Sequence, residues 1–248
     1  MIAHICMYDR EEIQEANDVF WSRIRKNLGY GPNTIARNIE HWDAWLSADL
    51  LLGHTCGFPF RAKLHNKVKL VGTPDYGLPG CPPGYYYSVL IARKNDGRQG
   101  LRAFDCARFA YNDPLSQSGW AAPVKHLGDL GIQLGTKIMS GGHRNSALYV
   151  LEGKADFAAI DAVTWEMIKR YDRWASDLRV IGITAPTPAL PLITAPQNDA
   201  DEIFDAVYDA IHDMPPSIRN QLMIKRLIKL PEGCYLAQTN PDLPQLSA

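Results

Sequence analysis

The stretch Asn112-Asp113-Pro114-Leu115-Ser116-Gln117-Ser118-Gly119 leaves an apolar run and enters a segment of helical character. Pro114 fixes φ and ends the preceding strand, and the two serines bring cap-type hydroxyls. Gly119 lets backbone N–H groups approach a bound group closely. A helix N-terminus that points N–H groups and its positive dipole end outward is a receptor for phosphate-like oxygens. On these eight residues alone, a proline turn followed by an ordinary serine N-cap is the plainer reading.

Working outward, strand-like and helix-like segments alternate on both sides of this stretch. Residues 102–111 read as the strand that feeds it and 117–127 as the helix that leaves it. Strand 135–139 then delivers Ser140-Gly141-Gly142-His143 to a helix over 143–152, and strand 155–160 delivers Asp161 to a helix over 162–171. Such alternation predicts an α/β protein with mostly parallel sheets and flanking helices, in which ligands sit at the carboxyl ends of strands. The octapeptide, Ser140 to His143 and Asp161 all occupy junctions of that kind.

Toward the N-terminus, residues 1–8 read as a first core strand. Asp9 is a candidate N-cap for a helix over 10–28, which Gly29 closes. Buried strands follow at about 49–55 and 67–73. Residues 85–92, with Tyr85-Tyr86-Tyr87, form a long strand suited to crossing between two lobes, and the proline-stiffened 184–191 is a second crossing. Helices are expected over 199–212 and 217–227. The two crossings predict an outer lobe of residues 1–90 plus 187–248 and an inserted middle lobe of 91–186.

Composition narrows the function classes. Of the 248 residues, 26 are Lys or Arg and 27 Asp or Glu, so the net charge of −1 provides no bulk attraction to nucleic acid or anionic membrane. Any anion site must be local. No apolar run approaches the roughly 18–20 residues that span a bilayer. The N-terminus lacks a basic leader region, so either the protein is cytoplasmic or a leader precedes this sequence. Cys6, Cys56, Cys81, Cys106 and Cys234 show no metal-type spacing. Cys56 and Cys81, both in Gly/Pro-rich loops, are either a disulfide in an exported protein or two separate thiols. No cofactor or metal is expected.

The ordered set of Asn112–Gly119, Ser140–His143 and residues 153–161 (GKADFAAID) resembles the phosphate/phosphite/phosphonate-binding proteins of ABC transporters. Met7-Tyr8-Asp9, Thr55-Cys56-Gly57-Phe58-Pro59 and Tyr87-Ser88-Val89 extend the likeness over nearly the whole chain. The resemblance implies the type 2 periplasmic binding fold: two α/β lobes, joined by two interlobe crossings, that close on a ligand in the cleft. It assigns the phosphonyl oxygens to Ser116, Gln117, Ser118 and Gly119, completes that side with His143 and Asp161, and takes Tyr8, Thr55 and Tyr87 from the outer lobe. It implies a periplasmic, monomeric receptor that passes a small anion, a phosphonate, phosphite or phosphate, to an ABC permease. Asp156, which precedes its strand, is expected to be structural. The chain departs from the family's serine-threonine-serine loop core, reading Ser116-Gln117-Ser118.

Two other functions fit the same residues. Ser116, Ser118 or Ser140 with His143 and Asp161 suggests a hydrolase, although no Gly-x-Ser-x-Gly elbow is present. A cytoplasmic ligand-sensing module on the same fold is the second.

Overall fold

The computed structural model describes residues 1–244, in which the chain forms two compact units. One comprises Met1–Tyr85 and Pro188–Ala237, the other Tyr86–Thr187 and the segment from Gln238. In chain order the strands are β1 (Ile2–His4), β2 (Leu50–His54), β3 (Lys69–Asp75), β4 (Tyr85–Tyr86), β5 (Ser88–Arg93), β6 (Phe109–Tyr111), β7 (Lys137–Met139), β8 (Phe157–Asp161), β9 (Leu178–Ile183), β10 (Thr187–Pro188), β11 (Leu192–Thr194) and β12 (Arg226–Ile228).

The first unit is built on a sheet in the order β1-β2-β11-β3-β12. β1 runs parallel to β2, whereas β11 is antiparallel to both β2 and β3, and β12 is antiparallel to β3. Every residue of β2 is buried, so its Leu-Leu-Leu run is core on both faces. Helix Gln14–Leu28 buries Phe20, Ile24 and Leu28 at helical spacing and packs against helix Ala200–Asp213, which lies on β3 and β12. Gly29, at φ 77°, ends the first helix as a left-handed cap, and Asp199 starts the second by accepting from the N–H groups of Asp201 and Glu202.

Asp9 does not cap the first helix. A 3-10 turn at Glu11–Ile13 precedes it, and the Asp9 carboxylate instead accepts from Arg37 at 2.6 Å and Asn17 at 2.8 Å. β11 and β12 also depart from expectation. Helix Pro216–Leu222 stops at Met223, whose left-handed φ of 61° turns the chain into β12, where a longer helix was expected. Leu192–Thr194, just beyond the proline-rich crossing, is the central strand of the sheet.

The second unit carries the sheet β7-β6-β8-β5-β9. β6 is parallel to β7 and β8, and β5 is antiparallel to β8 and β9. Both sheets are therefore mixed, not mostly parallel. The cause in this unit is β5: it enters from the first crossing and runs against β8, without the helical crossover that makes neighbours parallel. Residues 102–111 are not one strand, since Leu101–Phe104 is a 3-10 turn and only Phe109–Tyr111 pairs. Phe104, Phe109 and Phe157 pack ring against ring in the core.

At the start of β8, Asp156 accepts from the Arg108 side chain and N–H and from Arg98. Burial would raise its pKa, but these hydrogen bonds hold the carboxyl well below the usual range. None of the five cysteines is in a disulfide, so Cys56 and Cys81 are not bonded to each other. Among the described residues no helix is long and apolar enough to cross a membrane, and no group of three or more His, Cys, Asp or Glu is placed to hold a metal.

Candidate functional site

The strand directions bring the sequence-predicted junctions of the second unit to one end of its sheet. β6, β7 and β8 point the same way, so Asn112, Ser140–His143 and Asp161 follow three adjacent carboxyl ends. β5 is antiparallel to β8 with Ser88 opposite Asp161, which puts Tyr87 and Ser88 at that same end. The last residues of β9 pair with the start of β5, and Thr184 follows them. Five loops converge from positions spread over about 100 residues.

The octapeptide folds into the cap that its serines suggest. Asp113 Oδ1 accepts from the Leu115 N–H at 2.7 Å, which shapes the proline turn. Ser116, in the β region, accepts the Gly119 N–H on its Oγ at 2.9 Å and starts a π-type turn, Gln117–Ala121. The Ala121 N–H then reaches back five residues to the Ser116 carbonyl at 3.0 Å, and helix Ala122–Asp129 continues. The first N–H groups of such a turn have no acceptor within the helix and point outward. Gly119 is required for space: a Cβ there would lie 1.7 Å from Asn112 Oδ1.

Ser118 and His143, 25 residues apart, meet with Oγ 2.9 Å from Nε2. Part of His143 reaches the surface, but Nδ1 is shut off from water and lacks a well-formed partner, with only the Ala159 carbonyl nearby. Burial pulls this imidazole down to about 4, so the ring is neutral at physiological pH. The adjacent Arg144 is committed to Asp172 at 2.7 and 3.0 Å. These loops carry no formal positive charge, so hydroxyls, amide N–H groups and helix dipoles are what they can offer an oxyanion.

Ser140 is a brace: its Oγ lies 2.6 Å from Ser146 Oγ and 3.1 Å from the Tyr111 carbonyl. Asp161 is buried and caps helix Ala162–Tyr171, with Oδ1 accepting from Val163 at 2.7 Å and Thr164 at 3.0 Å. A carboxylate offers only acceptors, so any group it meets must bring a proton. The Tyr87 carbonyl accepts the Ala162 N–H at 3.1 Å beside it. Tyr87 thus belongs to the unit of Ser116 and His143, not to that of Tyr8 and Thr55. The Gln117 carboxamide is turned toward Thr187 Oγ1, 3.4 Å away, so at the position where the chain departs from the serine-threonine-serine pattern the long side chain points at the return crossing.

In the first unit, Thr55 follows β2, and its N–H donates to the Pro191 carbonyl at 3.0 Å. Its hydroxyl is fully buried without a partner. Tyr8 meets the rings of His54 and Tyr76 edge-on at 5.6 and 5.4 Å. His54 is buried, and burial lowers its pKa to about 4.

The family model for ABC-transporter phosphonate periplasmic substrate-binding proteins matches residues 3–230. Among solved structures the chain is similar to PhnD1 from Prochlorococcus marinus (MIT 9301) in complex with methylphosphonate, at 17% identity and a TM-score of 0.73, covering 94% of this chain and 93% of that one. It is also similar to a binding protein component of an ABC phosphonate transporter from Pseudomonas aeruginosa, at 16% identity and a TM-score of 0.69, covering 92% and 80%. A Xanthomonas citri protein bound to ATP aligns at 16% identity and a TM-score of 0.67, covering 94% and 91%. At such identities these likenesses speak for the fold, which is of the type 2 periplasmic binding class. No curated protein matches the sequence. The match over 3–230 carries the assignment: the chain belongs to the family of phosphonate-binding periplasmic substrate-binding proteins of ABC transporters, which are receptors and not enzymes.

Proposed function

We propose that the ligand is a small phosphonate, with phosphite and phosphate as close variants, captured by a monomeric receptor and passed to an ABC permease. The observation that carries this reading is the Ser118–His143 pair beside the Ser116 cap, a set of neutral donors at the end of a sheet where helix N-termini converge. Ser116, Gln117, Ser118, Gly119 and His143 hold the phosphonyl oxygens, with Asp161 and Tyr87 at the adjoining strand ends. In the other unit, Thr55 and Tyr8 are proposed as ligand contacts, Thr55 because its buried hydroxyl lacks a partner.

A neutral cradle suits a partly protonated oxyanion better than a fully ionised one, since Asp161 needs a proton from whatever faces it. PhnD1's methylphosphonate makes that compound the first probe. Calorimetry of the purified chain with methylphosphonate, aminoethylphosphonate, phosphite and phosphate tests the reading. Binding without turnover of at least one of them is expected, and no heat with any of the four overturns it.

A further inference from the structure

We infer that Ser88, which follows Tyr87 at the start of β5, is a further ligand contact that works as a pair with Asp161. The inference rests on the proposed oxyanion site and extends it. Ser88 is 1% exposed, and its Oγ has no hydrogen-bond partner. A buried hydroxyl without a partner is costly to keep, and natural structures rarely keep one without a use. Among the described residues the buried side-chain atoms in that state belong to Arg23, Thr55, Ser88, Asn112, His143 and Arg219. The two arginines bond through their other nitrogens. Thr55, Asn112 and His143 lie in the loops proposed to take the ligand, so Ser88 shares a signature otherwise confined to them.

Position supports the same conclusion. Ser88 is directly opposite Asp161 across the antiparallel β5–β8 pair, and opposite residues project to the same face of a sheet with Cβ atoms about 4.5–5.5 Å apart. The backbone of Ser88 is already satisfied: its N–H donates to Thr184 Oγ1 and its carbonyl accepts from the Thr184 N–H, both at 3.0 Å. The hydroxyl alone remains to be used. A hydroxyl donor next to a carboxylate acceptor fits a protonated phosphonyl oxygen, P–O–H, which donates a hydrogen bond to Asp161 and accepts one from Ser88. An all-acceptor sulfonate of the same size cannot satisfy both.

The test compares the full chain with Ser88→Ala and Ser88→Cys by thermal melting without ligand and by calorimetry with methylphosphonate and methanesulfonate. Wild type is expected to prefer methylphosphonate by at least about 30-fold. Both variants should melt at or above the wild-type temperature, because removing an unpartnered hydroxyl forfeits no bond, and should bind methylphosphonate about 5- to 30-fold more weakly. Methanesulfonate oxygens also accept a hydrogen bond, so its weaker affinity should fall too, by no more than the same factor, because the discrimination between the probes lies with Asp161. Unchanged methylphosphonate affinity in both variants overturns the role of Ser88 and leaves the receptor reading intact. Equal wild-type affinity for the two probes overturns the P–O–H pairing. If wild type binds neither probe, the inference falls together with the site on which it rests.

Discussion

Replacing Gly119 with alanine puts a methyl group into space that the cradle already uses. The added Cβ would lie 1.7 Å from Asn112 Oδ1, 2.9 Å from its Cγ and 3.1 Å from Ser116 Oγ. Gly119 has no left-handed φ, so the objection is one of volume and not of torsion. Asn112 Oδ1 is buried and must move for the methyl to fit, and overpacking of that kind costs about 1–3 kcal/mol. Taking about 2 kcal/mol, and about 2–4 °C per kcal/mol for a chain of this size, Tm should fall by roughly 4–8 °C. Because Ser116 Oγ holds the Gly119 N–H, methylphosphonate affinity should fall as well. Thermal and urea melts of G119A, N112A and the double variant separate this clash from general loop damage. N112A removes the obstructing atoms, so the double variant should recover about 1–2 kcal/mol relative to the sum of the single effects. Wild-type melting of G119A, or strict additivity in the double variant, would refute the packing argument.

Acid sensitivity should appear in two windows. His54 and His143 are held at about 4 against an ordinary 6.5, so the unfolded chain takes up protons that the fold refuses. That stability is complete above about pH 6.5 and is lost as pH falls toward 4, with His54 contributing up to about 1.4 kcal/mol per pH unit. Urea midpoints measured between pH 7 and 4 should therefore decline, and H143Q should decline less steeply; an identical slope would count against His143. Asp96, lowered to about 2 by its hydrogen bond from Arg98 despite burial, titrates in a lower window: its stabilisation is complete above about pH 3.8 and is lost as pH falls toward 2. At Asp161, alanine removes an N-cap that satisfies two N–H groups and should cost about 1–2 kcal/mol, whereas asparagine keeps the cap and should lose less than about 0.5 kcal/mol. D161N should nonetheless narrow the preference for methylphosphonate over methanesulfonate in competition titrations, and a variant that keeps full discrimination would make Asp161 a cap only.

The local signals in the sequence were those that one turn of chain can carry. Ser116 proved the cap that its serine suggests and Gly29 the helix end, whereas Asp9, read by the same rule, takes Arg37 and Asn17 instead. The meeting of Ser118 with His143 was legible only through the order of strands and helices that brings their junctions to one side. Strand direction was less visible. Alternating β and α segments suggest parallel neighbours, yet β5 and β11 each enter a sheet from a crossing and run antiparallel to both neighbours. Three-residue strands such as β11 and β12 are too short for a periodic signal, and Met223 ends its helix in a left-handed conformation without the glycine that usually gives such a stop away. Ser88 was overlooked beside three tyrosines because an unpartnered hydroxyl is defined by burial, which linear sequence does not display.

The turn that follows Ser116 also contains Trp120, buried against Tyr111, with its indole N–H donating to the Asp242 carbonyl at 2.9 Å. This places an intrinsic chromophore two residues from the Ser118 hydroxyl, with its ring nitrogen tied to the last part of the described chain. Emission from that indole responds to the local field and to the loss of its hydrogen bond, so it gives the cradle an optical readout that needs no label. Filling of the oxyanion site should shift the Trp120 component of the spectrum, and a Trp120→Phe variant would identify it against the other five tryptophans.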